Sequence, residues 1–267
     1  MGEHAPATSG DEVPRLIILG SGDALTSPSH DNTALAIATR HRLLLIDCSG
    51  SPVLKLRRSG FDAGDLDHVL LTHGHADHIY GLPALLQYLD LVGRDRPLPI
   101  YGNEEALSRA RAITSALDVG TGFASWRSLD MGRGSEPFLE DDDYTLRAFP
   151  SCHSLPTTGY SMTLEPGAVS LVYSADTEPC LAVAEAARGA DTLVHEATVL
   201  EPERGHSTPA QAAEVAAAAG AGLLVLVHLP EVLIRNPGPA LAEAAAFFPG
   251  EIRLAADGDI IPLVRRH

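Results

Sequence analysis

No apolar stretch in this 267-residue chain approaches the ~20 residues that a membrane-spanning helix needs. The opening Met1-Gly2-Glu3-His4-Ala5-Pro6 has neither a basic flank nor the apolar run of a secretory leader. A cytoplasmic protein with no membrane partner is therefore expected. Cysteine is scarce: Cys48, Cys152 and Cys180 are widely spaced and odd in number, which argues against a disulfide framework and for buried thiols in a reducing compartment. Basic charge is short as well. With 19 Lys and Arg against 35 Asp and Glu, the net charge is −16, so the average surface repels a polyanion, whereas nucleic-acid proteins normally present a basic face. Arg40-His41-Arg42 and Arg57-Arg58 are the dense basic spots ahead of the terminal arginines, and short runs of this kind are more often solvated faces than binding platforms. Low-complexity tracts and short-period repeats are also missing.

What the chain does have is apolar content, 45% of its residues, enough for a large core in one domain spanning residues 15–267 after a frayed lead-in at 1–14. Short apolar runs at residues 15–19, 43–46, 69–71, 146–149, 170–173, 192–194 and 223–227 predict strands, several of them buried on both faces. Helices fall between them. Pro83 starts one that runs to Leu91, and Asn103-Glu104-Glu105 opens another with acidic residues in its first turn. Thr208-Pro209-Ala210-Gln211 has the form of a capping box, with Gly220 ending the helix that follows. Residues 132–143 read as an acidic, glycine-bearing surface loop. The alternation predicts an α/β protein, although periodicity alone does not separate a doubly wound sheet from two packed sheets.

The richest local feature is His73-Gly74-His75-Ala76-Asp77-His78, directly after the apolar run 69–71: four potential metal ligands within six residues. Imidazoles and a carboxylate suit zinc and its divalent neighbours, and alternate residues of an extended segment can turn His73 and His75 toward one ion, leaving Asp77 and His78 for a second. Further candidates follow in order along the chain: Ser151-Cys152-His153-Ser154-Leu155-Pro156 with Gly159-Tyr160, Tyr173-Ser174-Ala175-Asp176-Thr177, His195-Glu196-Ala197-Thr198, Gly205-His206-Ser207-Thr208 and Val227-His228. His73, Asp176, Glu196 and His228 each fall at or just beyond the carboxyl end of a predicted strand, where a rigid sheet delivers side chains into a shared cleft. Read singly, His153 or His228 would be a structural histidine, and Asp176-Thr177 the start of a turn.

Taken together and in this order, the motifs resemble those of the metallo-β-lactamase-fold hydrolases, in the ribonuclease Z-like branch of tRNA 3′-end processing nucleases, from about Leu16 to Ile261. The resemblance implies an αβ/βα four-layer sandwich of two mixed β-sheets flanked by helices, with a metal cleft at one end of the sheets. It implies two divalent ions, with zinc expected and manganese or iron accepted by the same donors. His73, His75 and His153 would hold one ion, Asp77, His78 and His228 the other, and Asp176 would bridge. Two such ions about 3.5 to 4 Å apart can hold a bridging hydroxide and polarise a phosphoryl oxygen, with Asp77 also orienting the nucleophile. By the same resemblance Glu196 would orient His206 and favour its charged form, so that His206 protonates the leaving group. His195, on the opposite face of its strand, is expected to be structural. The Gly20-Ser21-Gly22 turn would border the cleft, and Cys152 is expected to stay off the metals.

Two departures bear directly on substrate, and a third on fine details of the cleft. Only 22 residues separate His153 from Asp176, room for a hairpin but not for the protruding arm with which tRNA-processing members grip their substrate. Leu229-Pro230-Glu231-Val232 follows His228 where those nucleases continue toward an arginine and a tyrosine. Asp47-Cys48-Ser49-Gly50 lacks further glycine and glutamate residues usual in its motif. Together with the acidic charge, the first two rank a phosphodiesterase acting on a small molecule ahead of a tRNA 3′-end endonuclease. Sulfate esters, lactones and thioesters, or a non-catalytic metal-binding role, are further alternatives. RNA is the disfavoured partner, and the resemblance implies a homodimer.

Overall fold

The computed structural model describes residues 13–130 and 136–266. Most of the expected lead-in and residues 132–135 of the expected loop lie outside them. Six strands come first: β1 (Arg15–Gly20), β2 (Ala34–Ala38), β3 (Leu43–Ile46), β4 (His68–Leu70), β5 (Leu98–Gly102) and β6 (Ala124–Ser128). A second series follows: β7 (Leu139–Glu140), β8 (Tyr144–Ser151), β9 (Thr157–Leu164), β10 (Val169–Tyr173), β11 (Thr192–Glu196), β12 (Leu223–Val227) and β13 (Glu251–Leu254), before β14 (Ile260–Pro262) returns to the first sheet. The sheets run β14-β1-β2-β3-β4-β5-β6 and β13-β12-β11-β10-β9-β8-β7. Their pairing matches strand for strand. From β1 to β6 it goes antiparallel twice and then parallel three times, and β8 to β13 repeats that sequence. Part of the expected 132–143 loop is thus strand, because Leu139 and Glu140 pair with Leu146 and Thr145.

Strands buried on both faces explain the apolar runs, since successive side chains point to opposite sides of a sheet. Leu16 and Ile18 of β1 face the other sheet, in a core shared with Leu44, Ile46, Leu146, Tyr160, Met162, Val194 and Val225. Ile17 and Leu19 face outward, under α1 (Pro52–Arg58), α3 (Leu82–Leu91) and α4 (Glu104–Ala116), with the short α2 (Ala76–Ile79) between them in sequence. The second sheet's outer face is covered in the same way by α5 (Leu181–Ala186), α6 (Pro209–Ala219) and α8 (Gly238–Phe247), and α7 (Glu231–Arg235) precedes α8. These four layers are the sandwich that the motifs implied. The predicted caps are present: Thr208 and Gln211 form the capping box, Gly220 ends α6 at φ +66°, and Asn103 accepts from the Ala106 amide at the start of α4. Among the described residues no helix is long and apolar enough to cross a membrane.

The basic spots are tied down. Arg42 pairs with Asp141 and Asp67, and Arg57 donates to the Tyr88 hydroxyl. The C-terminal tail is pinned by Asp191, 1% exposed, which accepts from the Ser170 amide at 2.8 Å, the Ser170 hydroxyl at 2.9 Å and the Arg266 amide at 2.6 Å. Burial alone would raise the Asp191 pKa, but these donors outweigh it and hold it below the ordinary carboxylate value. A carboxyl depressed in the folded state stabilises above its unfolded pKa and loses that contribution as pH falls through the folded one. Asp191→Ala is therefore expected to cost about 1–3 kcal/mol at neutral pH, the penalty for stranded buried donors. The difference from the parent should shrink as pH falls through and below the carboxylate range, read from urea denaturation at each pH.

Candidate metal centre

Every candidate ligand lies in a segment that leaves the carboxyl end of a strand, at one end of the two sheets. Beyond β4, Leu71 donates its amide to Tyr101, and the segment then delivers His73 and His75 before α2 begins at Ala76 with Asp77 and His78 in its single turn. His153 follows β8, Asp176 follows β10, Glu196 closes β11, and His228 follows β12 with φ +57°. Three ring nitrogens converge at the first group: His73 Nε2 lies 2.9 Å and His153 Nε2 3.2 Å from His75 Nδ1. Those gaps approach the roughly 3.3 Å that ligand nitrogens show on a tetrahedral ion with bonds near 2.05 Å. The second group consists of Asp77, His78 and His228, with Asp77 Oδ2 at 3.4 Å from His78 Nε2 and 3.5 Å from His228 Nε2.

Asp176 stands between the two groups. Its Oδ2 is 3.8 Å from His73, 3.6 Å from His78, 4.0 Å from His153 and 3.5 Å from His228, each measured to Nε2. All seven candidates are thus brought together, and the groups within ligating distance of one another also include His73 with His78 and Asp176, and His153 with Asp176 and His206. Asp176 Oδ1, His78 Nε2 and His228 Nε2 are buried with no hydrogen-bond partner. Buried polar atoms without partners are costly, and three of them on residues of one cluster fit a site built for cations. Electrostatics agrees. Burial pushes His73 and His75 down toward the neutral form that binds metal, as neighbouring imidazoles do. Burial also works against charge on His78 and His228, but the carboxylates around them together outweigh it and lift both, Asp176 with Asp47 at His78 and Asp176 with Asp77 at His228. A field that draws a proton there draws a metal cation equally. Asp77 and Asp176 are held well below the usual carboxylate range: burial opposes this, and the facing imidazoles prevail.

The far nitrogens of four candidate ligand imidazoles, and that of His206, are also engaged, and the pattern repeats across the two sheets. Buried Asp47, held at φ +58°, takes His78 Nδ1 directly at 2.8 Å. It reaches His73 through Thr72, whose hydroxyl donates to Asp47 and accepts from His73 Nδ1 at 3.0 Å. Glu196, fully buried, takes His206 Nδ1 at 3.0 Å and reaches His228 through Thr198. The Thr198 hydroxyl donates to Glu196 Oε2 at 2.6 Å and accepts from His228 Nδ1 at 2.7 Å. His153 Nδ1 donates to the Gly205 carbonyl at 2.7 Å, which the +88° φ of that glycine turns toward it. Such outer partners fix the tautomer and leave Nε2 free for a metal. Asp47 and Thr198 were named with their motifs in the sequence but given no role. Both are short polar residues at strand ends, and only the fold shows which imidazole each one holds.

Thr198→Val keeps the side-chain shape and removes the hydroxyl. Loss of an outer partner typically weakens metal affinity by about 10–100-fold; the same loss is expected for one of the two ions, with Thr198→Ser restoring it, in a chelator competition titration.

His206 is 23% exposed toward the cleft. Burial disfavours its charged form, but contact with Glu196 more than compensates and raises its pKa. Its ring lies 4.9 Å from that of His153 and 5.9 Å from that of His228, so this imidazole stands beside both candidate groups. His195 points away as expected, buried and donating Nδ1 to the Glu196 carbonyl at 2.8 Å. The Gly20-Ser21-Gly22 turn borders the cleft, where the Asp23 amide donates to Leu229 at 3.1 Å, and burial raises the Asp23 pKa. Two of the three cysteines are buried thiols, but Cys152 is exposed, because it sits where β8 opens onto a cavity beside His153; it belongs to neither ligand group.

Residues 42–229 match the family model described as a β-lactamase superfamily domain. The ribonuclease Z of Synechococcus sp. (strain CC9605) is 30% identical, in an alignment covering 91% of this chain and 96% of that protein. Among solved structures, the metallo-β-lactamase fold protein YhfI from Bacillus subtilis superposes with TM-score 0.80 at 24% identity, covering 94% of this chain and 99% of that one. The short form of human tRNase Z gives TM-score 0.77 at 24% identity, over 94% and 99% of the two chains.

Proposed function

Since the chain belongs to the β-lactamase superfamily, in its ribonuclease Z-like branch, we propose that it is a metal-dependent phosphodiester hydrolase acting on RNA in the manner that its relatives' name implies. The observation that carries hydrolysis of a diester is the Glu196–His206 pair standing beside both ligand groups. A diester expels a strongly basic alkoxide, which needs a proton as it leaves. His73, His75 and His153 would hold one ion, Asp77, His78 and His228 the other, and Asp176 both, with zinc the first expectation for this donor set. Two divalent ions, when bound, supply Lewis acidity at the phosphoryl oxygens and a water nucleophile at neutral pH. Asp77 orients that nucleophile, Glu196 keeps His206 charged and aimed, and His206 Nε2 delivers the proton to the departing oxygen. A retired binding scaffold would have no use for this pair.

The missing arm, the residues after His228 and the acidic charge ranked a small substrate first; the relatives support the other order better. A small diester stays as the second reading on one specific observation. β9 and β10 are joined by only residues 165–168, a tight hairpin where a substrate-gripping arm would emerge. The alignment with the Synechococcus enzyme also spans 306 positions against the 267 residues of this chain, so that relative carries segments missing here. Metal-quantified protein tested on a precursor tRNA and on bis-p-nitrophenyl phosphate separates the readings. Cleavage at the tRNA 3′ end supports the first; diester turnover without tRNA cleavage supports the second. Inactivity on both with two ions bound would refute the assignment to phosphodiesters.

A further inference from the structure

A cavity of about 440 Å³ opens beside the metal centre, lined by Cys152, His153, Ser154, Glu178, Arg204 and Gly205. Its volume lies within the ~300–1,000 Å³ typical of small-ligand sites. Its position relative to the chemistry is set by two residues. His153 is a candidate ligand on one wall, and the Arg204-Gly205 wall leads directly into His206. The cavity therefore lies on the side where the proton donor stands, which is the side on which the leaving oxygen departs.

Its two charged residues have complementary capacities. Arg204 is exposed and makes no side-chain hydrogen bond or ion pair among the described residues, in contrast to Arg42, which is engaged by two carboxylates. Glu178 commits Oε2 to the Gly205 amide at 2.8 Å and so fixes the loop that carries Arg204, while its other oxygen has room to accept. A guanidinium presents a planar fork suited to phosphate, and a carboxylate oxygen accepts from a hydroxyl. In a chain of net charge −16, an unengaged guanidinium at the mouth of the active site is a local exception to the prevailing field.

We propose that this cavity is a leaving-group subsite for a nucleotide unit, in which Arg204 binds a phosphate carried by the departing alcohol and Glu178 accepts from a sugar hydroxyl. The subsite rests on the assignment of the chain as a phosphodiester hydrolase and adds a specificity: the preferred leaving alcohol carries a phosphate of its own. It also offers an acidic protein a way to recognise a polyanionic substrate one phosphate at a time, without a basic platform.

The test compares UpU with its two terminally phosphorylated forms, pUpU and UpUp, one of which carries the extra phosphate on the leaving side. The parent protein is expected to prefer that form over UpU in kcat/KM by about tenfold or more, the scale of one charge-assisted contact. In Arg204→Ala the preference should fall to near unity through a rise in KM, with Arg204→Lys retaining part of it. A parallel calorimetric titration of the metal-loaded protein with uridine 5′- and 3′-monophosphate should show weaker binding of one isomer in Arg204→Ala. No preference in an active parent, or a preference that survives Arg204→Ala, overturns the subsite and leaves the hydrolase assignment standing. A parent that cleaves no dinucleotide yet binds a monophosphate through Arg204 overturns the leaving-group role and leaves the hydrolase assignment to precursor tRNA and bis-p-nitrophenyl phosphate, and monophosphate binding indifferent to Arg204 likewise overturns the subsite.

Discussion

His206→Ala is expected to slow hydrolysis of an ordinary nucleotide diester by about 10²–10⁴-fold, the usual contribution of a positioned general acid, with bis-p-nitrophenyl phosphate affected far less. The two substrates differ in what leaves. A ribose alkoxide is strongly basic and departs only as it is protonated; p-nitrophenolate is stable as an anion and needs no donor. His206 is the group placed to supply that proton, because Glu196 holds its Nδ1 at 3.0 Å and so leaves Nε2 for the cleft. Glu196 is itself fixed by the amides of Thr177 at 3.0 Å and Ser207 at 3.2 Å, so loss of the imidazole should leave the loop in place. Parallel metal analysis is expected to find the variant's content unchanged. Equal losses on both substrates would reassign His206 to binding or to support of the metal site.

The largest effect is expected from Asp176→Ala. This carboxylate is 2% exposed and approaches four imidazoles within 3.5 to 4.0 Å. Removing it withdraws the negative charge shared by both ligand groups, and with it the largest part of the field that favours a cation beside His78 and His228. Loss of an outer partner weakens metal binding by about 10–100-fold, and loss of a shared inner carboxylate should exceed the upper end of that range. The variant is expected to retain at most one ion per chain after dialysis and to lose diester hydrolysis. The affinity loss is measurable by chelator competition even where activity has vanished. Retention of two ions at parental affinity would remove Asp176 from the bridging role.

Much of this candidate centre was legible because the residues that the fold brings together are rare types in fixed order at strand ends. His73 to His78 announce themselves within one turn of chain, and His153, Asp176 and His228 gain meaning from their sequence of appearance. The outer partners were harder to read. Asp47 acts through a left-handed backbone and a threonine 25 residues downstream, and Thr198 meets His228 across 30 residues, relations that local pattern does not encode. The strands divide along the same line. β3 and β12, buried on both faces, are continuous apolar runs and match their predicted bounds. β9 reads Thr-Thr-Gly-Tyr-Ser-Met-Thr-Leu, without an apolar run, and is a strand because β8 and β10 hydrogen-bond to both its edges. Pairing of this kind overrides weak local preference. The short helices α2 and α7 owe their existence to the loops they interrupt.

The matched pairing order of β1–β6 and β8–β13 divides the chain into two like halves, and each proposed ligand set straddles them. His73 and His75 come from the first half and His153 from the second; Asp77 and His78 come from the first and His228 from the second. Neither half owns a complete set, so each cation would act as a rivet through the seam. Binding that requires the assembled form stabilises that form by mass action. An active centre made this way is a property of the join and of neither parent piece: whatever loosens the seam disarms the enzyme, and whatever loads the metals tightens it.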